Sequence, residues 1–382
     1  MRRIAAFLGG VLAVALTVLV FTACLVLLPS VLTPDESSVT PQENVPAAPH
    51  VDVGPLDHGL WYDQLSSAQQ ALFDQMLGAL RARQDTFVLE GATADDVAPA
   101  YQAIIGDHPE FFWLTGGYTY REAPQEERVE VTPKLTVAAD EVEGLQAQID
   151  EVAEGVLAQI PDEAGDYERV RACYEWVIDN TVYEDAGDSQ NIKSVFLGGV
   201  SVCAGYARAF QYLMHKQGIR CDYLSGGGHA WNLVWIAGTP TYVDTTWGDP
   251  VFIAENGERA PESKTYDYLC LTADELYRIQ TLEMPTTDRE RLPACNATDY
   301  DYYRLNGLFF DSFDSVDLAR VVGEVSAAGG HAIRVKYASD EAFEQAYAYA
   351  QGEEIFYIGA LADAGTVYVG GEPRLRILSL EW

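Results

Sequence analysis

The chain has 382 residues, 48% of them hydrophobic and 11% aromatic, with 22 tyrosines; this is enough apolar material for a sizeable core and excludes a chain disordered along most of its length. Lys plus Arg number 24 against 58 Asp plus Glu, a net charge of −34. With no basic stripe to offset it, that charge disfavours any nucleic-acid partner and reads as solubility, a cationic partner being the lesser alternative.

Arg2 and Arg3 precede an uncharged run from Ile4 to Pro34. Up to Leu28 it is about 25 residues long, above the roughly 20 that span a bilayer and longer than the apolar core of about 7–15 in a cleaved signal peptide. Residues 1–34 are therefore expected to be an uncleaved, single-pass membrane anchor, with the arginines cytoplasmic and the bulk of the chain outside. Secretion after signal cleavage is the alternative. Residues 35–60 are rich in Pro, Ser and acids at their start and read as a flexible linker.

Ordered structure is expected from Trp61. Ala68, Leu72, Phe73, Met76, Leu77 and Leu80 recur at helical spacing after Ser66, and a second helix, an aromatic segment and two strands complete an N-terminal region at 61–138. Helices follow at about 139–159 and 166–180, the second presenting Val170, Cys173, Tyr174, Val177 and Ile178 on one face. Next come a glycine-rich turn and the helix that begins GGVSVCAGYARAFQYL, then three strands, RCDYLSG, HAWNLVWI and TYVDTTW, broken at GGG and GTP. A mostly looped stretch carries one short helix near 273–280. Residues 307–382 read as a small C-terminal α+β extension.

Cys203 opens the helix after the glycine-rich turn. Ser201 is the expected N-cap, Ala207, Phe210, Leu213 and Met214 the buried face, and Gly218 the stop. A thiol in a first helical turn meets unpaired N–H groups and the positive end of the helix dipole, which favour its reactive anionic form. Position alone favours a small buried core residue. His229, at the start of a strand after three glycines, supplies an imidazole able to take the thiol proton and return it to a leaving group. Asp244, on the next strand, is the acid expected to orient it. A hairpin turn at Gly238–Thr239 would put His229 opposite Gly248 and Asp244 about 13 Å along the strand, so a bulge, a longer irregular loop or strong twist is needed; Asp249 is the fallback.

The remaining cysteines serve as contrast. Cys24 lies in the apolar run. The other five are odd in number, which leaves at least one thiol unpaired. Cys270 and Cys295 are candidates for a disulfide, and Cys173 and Cys221 for a second or for two core thiols; either scheme leaves Cys203 free. His215 is expected at the surface beside Lys216. No spacing typical of a metal site or a phosphate loop occurs, and no cofactor is expected.

The strings G-x-x-V-C-A-G-Y-A-R-A-F, H-A-W-N-L-V and Y-V-D-T-T-W-G-D-P resemble the bacterial transglutaminase-like superfamily, related in architecture to papain-type cysteine proteases. The resemblance runs from about Asp166 to Pro250 and continues more weakly through YDYLCLTADEL and LPACNATDYDYYRLNG, and upstream in HPEFFWLTGGYTY. It implies an α+β fold with a papain-like core, in which a nucleophile helix packs on an antiparallel sheet, placed in a catalytic domain at 139–306. It implies Cys203 as nucleophile, His229 as general base and acid, and Asp244 as the orienting residue. The chemistry implied is acyl transfer through a thioester. The Cys203 N–H is one oxyanion donor, with Tyr183 or Gln190 as the second, and Trp231 and Trp247 are either cleft walls or core aromatics. The expectation is a peptidase or amidase acting on protein or cell-wall peptide. Protein cross-linking by transglutamination, or a passive peptide-binding scaffold, are the alternatives.

Overall fold

The computed structural model describes residues 3–6, 50, 56–123, 127–249, 264–280 and 292–382. The chain divides into one compact unit at Val45–Asp301 and a second made of Met1–Asn44 with Tyr302–Trp382. The expected membrane anchor and linker lie almost wholly outside the described residues. Of the anchor, β1 (Arg3–Ala6) is a strand. Among the described residues no helix is long and apolar enough to cross a membrane.

The larger unit starts with a short helix, α1 (Leu60–Asp63), and α2 (Ser67–Arg81). Ser66 caps α2 in a reciprocal capping box with Gln69, and the apolar stripe Leu72, Phe73, Met76, Leu77 and Leu80 is buried. Then come β2 (Phe87–Glu90), α3 (Ala94–Asp107), β3 (Leu114–Ala123) and β4 (Arg128–Leu135), with the strands in the antiparallel order β2-β4-β3. After them run α4 (Val142–Leu157), α5 (Asp166–Asp179), β5 (Val182–Tyr183), α6 (Ile192–Phe196), β6 (Val200–Ser201) and α7 (Cys203–His215). The antiparallel sheet β7 (Cys221–Gly226), β8 (His229–Ile236) and β9 (Thr239–Val243) follows. A helix, α8 (Ala273–Ile279), ends the part of the unit that concerns the site.

The core of this unit is the contact of α7 with the three-stranded sheet. Tyr206, Ala207, Phe210, Leu213 and Met214 are buried along α7 as the helical period requires, and Asn232 of β8 donates to the Ala207 carbonyl (3.0 Å). The helix stops at Gly218, whose φ of +69° is open to glycine at little cost, while the Ile219 N–H returns to the Met214 carbonyl (3.0 Å). At the other side, two buried carboxylates grip the first turn of α1. Asp107 accepts the N–H groups of Gly59, Trp61 and Tyr62 (2.8–3.1 Å), and Asp222 of β7 accepts that of Leu60 (2.7 Å). Residues 61–138 and the helix–sheet core thereby form one body.

The smaller unit adds α9 (Tyr302–Leu305), β10 (Phe309–Phe310), α10 (Ser315–Ala327), β11 (Ala332–Tyr337), α11 (Asp340–Gln351), β12 (Thr366–Glu372) and β13 (Ile377–Glu381). Its mixed sheet runs β1-β12-β13-β11-β10. Ser339 and Asp314 cap α11 and α10, as their sequence positions before acidic first turns suggest.

Candidate active site

Cys203 is the first residue of α7, and the N-cap is Val202, with no side-chain cap. The expectation that Ser201 caps this helix is corrected. Ser201 lies in β6, paired with Tyr183, and its hydroxyl is engaged with the Ser189 carbonyl and with Ser194 Oγ, both at 2.7 Å. Gly205 packs against it so closely that a Cβ there would stand 1.9 Å from Ser201 Oγ. The consequence is electrostatic: no side-chain cap covers the helix start, the Gly205 N–H turns back to the Val202 carbonyl (2.9 Å), and the positive end of the helix dipole lies beside the thiol.

His229 is the first residue of β8 because the β7–β8 hairpin turns on Gly227 and Gly228, both at positive φ (+59° and +78°), leaving Gly226 paired with His229. The next hairpin corrects the expected register. Its turn residues are Ala237 (φ +48°) and Gly238 (φ +81°), one position earlier than the glycine–threonine turn read from sequence. Ile236 therefore pairs with Thr239, and Asn232 with Val243. Continued by one step, this register sets Asp244 level with Trp231, a diagonal neighbour of His229 on the same face. No bulge is required. His229 Nε2 meets Asp244 Oδ2 at 2.7 Å, the imidazole side chain 13% exposed and the carboxylate 1%. With Nε2 held by Asp244, Nδ1 is the ring nitrogen left for the Cys203 side chain, which interacts favourably with the charged ring. Burial alone would depress the imidazole, but Asp244 and then Cys203 outweigh it and raise the pKa to about 10.

Asp244 is fixed from two further sides. Its Oδ1 accepts the Trp247 N–H (3.0 Å), and its Oδ2 also accepts from Gln280 Nε2 (3.4 Å). Trp247 stacks on the His229 ring (centroids 5.2 Å apart, planes 29° off), and Trp231 lies on the same ring at 6.0 Å. Trp231 is fully buried and Trp247 half-buried, so one belongs to the core and the other to the rim. The fallback acid Asp249 is committed elsewhere: it accepts the Tyr206 hydroxyl at 2.8 Å.

Of the two proposed second oxyanion donors, Tyr183 is the one that meets the thiol. Its hydroxyl lies against Cys203, next to the side chain and on the acceptor side of the backbone N–H, while the residue remains 45% exposed. Burial, then the neighbouring Cys203 side chain, raises its pKa, so it stays a proton donor at neutral pH. Gln190 is exposed on the preceding loop.

The other cysteines differ in kind. Among the described residues no disulfide joins any of the five cysteines, which corrects the expectation of a bridge between Cys270 and Cys295; of the two readings for Cys173 and Cys221, the pair of buried core thiols holds. Cys24 lies outside the described residues. Burial pushes the Cys173 thiol up to about 12 and Cys295 up to about 11, and raises Cys221 well above its ordinary value. His215, expected at the surface, is half-buried with Nε2 2.7 Å from the Cys221 carbonyl oxygen, and burial lowers its pKa. Sequence reasoning missed Gln280 entirely. It is the C-cap of the short helix expected near 273–280, but no motif marks it as part of a site.

A thiol, an imidazole and a buried carboxylate thus stand in series beside a helix N-terminus, and the cysteine is half-buried. The arrangement can shuttle a proton from sulfur to a leaving group and bind a developing oxyanion. Residues 151–247 match the transglutaminase-like superfamily. The human kyphoscoliosis peptidase is 28% identical over 137 residues, covering 30% of this chain and 20% of that protein. The chain therefore spans about a fifth of the length of this curated relative. Among solved structures, a TGase is similar at 12% identity with a TM-score of 0.26, over 48% of this chain and 55% of the other.

Proposed function

From the transglutaminase-like domain at residues 151–247, we propose that the protein is a thiol hydrolase that cleaves amide bonds in peptides through a thioester on Cys203. The observation that carries this reading is the series Cys203–His229–Asp244, closed by a 2.7 Å hydrogen bond. His229 Nδ1 holds the proton of Cys203. The sulfur attacks the amide carbonyl carbon, forming the C–S bond, and the carbonyl oxygen takes up negative charge. The Cys203 N–H, which donates to the Tyr183 hydroxyl oxygen before substrate arrives, turns to the carbonyl oxygen, and the hydroxyl donates beside it. His229 then gives its proton to the amide nitrogen as the C–N bond breaks. Water attacks the thioester, passing a proton to His229, the C–S bond breaks, and the proton returns to sulfur. Asp244 keeps Nε2–H bonded throughout and offsets the imidazolium charge.

Hydrolysis is favoured over cross-linking because Cys203 is only half-buried and water is in excess over any amine acceptor. The uncharged run behind Arg2 and Arg3 supports action outside a membrane, on protein or cell-wall peptide. The peptidase named as a relative is in keeping with this substrate class. The test is ammonia release and backbone cleavage from a glutamine-containing peptide library, with and without an added primary amine. Cleavage or ammonia release that is insensitive to the amine and lost in Cys203→Ala supports a hydrolase. Incorporation of the amine in place of water identifies a transferase and sinks the hydrolytic reading.

A further inference from the structure

Asp244 is usually the last residue counted in such a series, yet here its Oδ2 has a second donor. Gln280 Nε2 reaches the same oxygen that receives His229 Nε2, at 3.4 Å, and Gln280 is 9% exposed. The approach is built into the fold. The segment before α8 lies against β9: Tyr242 and Leu271 exchange both backbone hydrogen bonds (3.0 and 2.8 Å), Thr241 Oγ1 donates to the Leu271 carbonyl, and the Asp244 N–H donates to the Tyr268 carbonyl (3.0 Å). The helix itself is started by a capping box between Thr272 and Glu275 and stops at Gln280, whose φ and ψ are extended (−125°, 148°). The strand that leads to Asp244 and the helix that ends at Gln280 are thus bound to each other over several residues. A donor so held has one orientation to offer.

We propose that Gln280 is a positioning residue, a fourth member of the series, whose amide fixes the rotamer of Asp244 and keeps its Oδ2 an acceptor aimed at His229. The inference rests on the functional reading of Cys203 and His229. Chemically, the carboxylate has four lone-pair sites, and the Trp247 N–H, His229 and Gln280 together occupy enough of them to exclude rotation about its side chain. A buried acceptor with an imidazole alone would be free to turn; with two donors on one oxygen and a third on the other, it is not.

The test uses the intact protein and the second-order rate of Cys203 alkylation by iodoacetamide from pH 5 to 10, read by peptide mass spectrometry. Two variants separate the donor from the space it fills. Gln280→Met keeps the volume and removes the donor, and should lower the rate about three- to tenfold at every pH. Gln280→Glu is isosteric, and its protonated form donates as the amide does. It should therefore match wild type at the acid end and fall by a similar factor as the introduced carboxyl ionises, adding one titration to the profile. A melting temperature near wild type in the Gln280→Glu protein shows that folding is intact. Profiles superimposable on wild type for both variants overturn the inference and leave Gln280 a filler of space. The outcome that sinks the functional reading is different: wild-type alkylation unchanged by His229→Ala.

Discussion

Replacing Tyr183 by Phe isolates the electrostatic part of the proposed mechanism. The phenol is 45% exposed, and its hydroxyl lies against the side chain and N–H of Cys203. Deleting one oxygen at so open a site costs little folding free energy, within about 0.5 kcal/mol. The cost to catalysis is larger. One of two oxyanion donors is lost, which is worth about 10²–10³ in kcat, or about 2.7–4 kcal/mol of transition-state stabilisation. The control lies in the chemistry of the probe. Iodoacetamide is attacked at a saturated carbon and expels iodide, so no oxyanion forms. The assay therefore compares amide turnover with iodoacetamide labelling of Cys203 in wild type and Tyr183→Phe. Turnover should fall about 10²–10³-fold, while the labelling rate stays within a few-fold. A parallel fall of both rates would mean that Tyr183 acts on the sulfur and not on the oxyanion, and unchanged turnover would remove it from the mechanism.

The folded structure makes three more predictions. Gly205→Ala places a Cβ 1.9 Å from Ser201 Oγ and should destabilise the protein by about 1–3 kcal/mol, read as a lower urea midpoint at unchanged slope. Brief iodoacetamide treatment of the native protein at neutral pH should modify Cys203 and spare the buried Cys173, Cys221, Cys270 and Cys295; even labelling across the set would show that Cys203 has no privileged environment. Stability should depend on pH through His229, whose pKa is raised in the folded state from 6.5 to about 10. The stabilisation is complete below the unfolded value and lost as pH rises through the folded one. The difference in unfolding free energy between wild type and His229→Ala should accordingly be greatest below about pH 6.5 and shrink toward pH 10, and a flat difference would contradict the pairing.

Much of the site is legible in the sequence because its chemistry is concentrated in few residue types at diagnostic places. A cysteine at a helix start, a histidine after a glycine turn and an acid on the following strand need no tertiary knowledge to be suspected. The buried face of α7 follows from helical period alone. The register of β8 and β9 does not, since a turn at Ala237–Gly238 requires an alanine at positive φ (+48°), which sequence rules disfavour; the longer-range contacts of β9 with Leu271 and Tyr268 hold it there. Ser201 illustrates a second limit. It has the right chemistry for a cap, but Ser189 and Ser194 compete for its hydroxyl, and only the fold brings them near. The Cys270–Cys295 bridge failed for a similar reason: an odd count restricts pairings without saying whether any two sulfurs meet. Gln280 and the carboxylate grip of Asp107 and Asp222 on α1 depend on contacts between residues more than 30 positions apart, and no local pattern encodes them.

The most direct measurement of the central claim is the rate of Cys203 alkylation at pH 6 in wild type and in His229→Ala. A thiol whose proton is held by the imidazole should react at least tenfold faster in wild type than in the variant, with both proteins equally folded by circular dichroism. Equal rates would mean that the imidazole does not activate the sulfur, and the proposed acyl-transfer chemistry would then have no nucleophile.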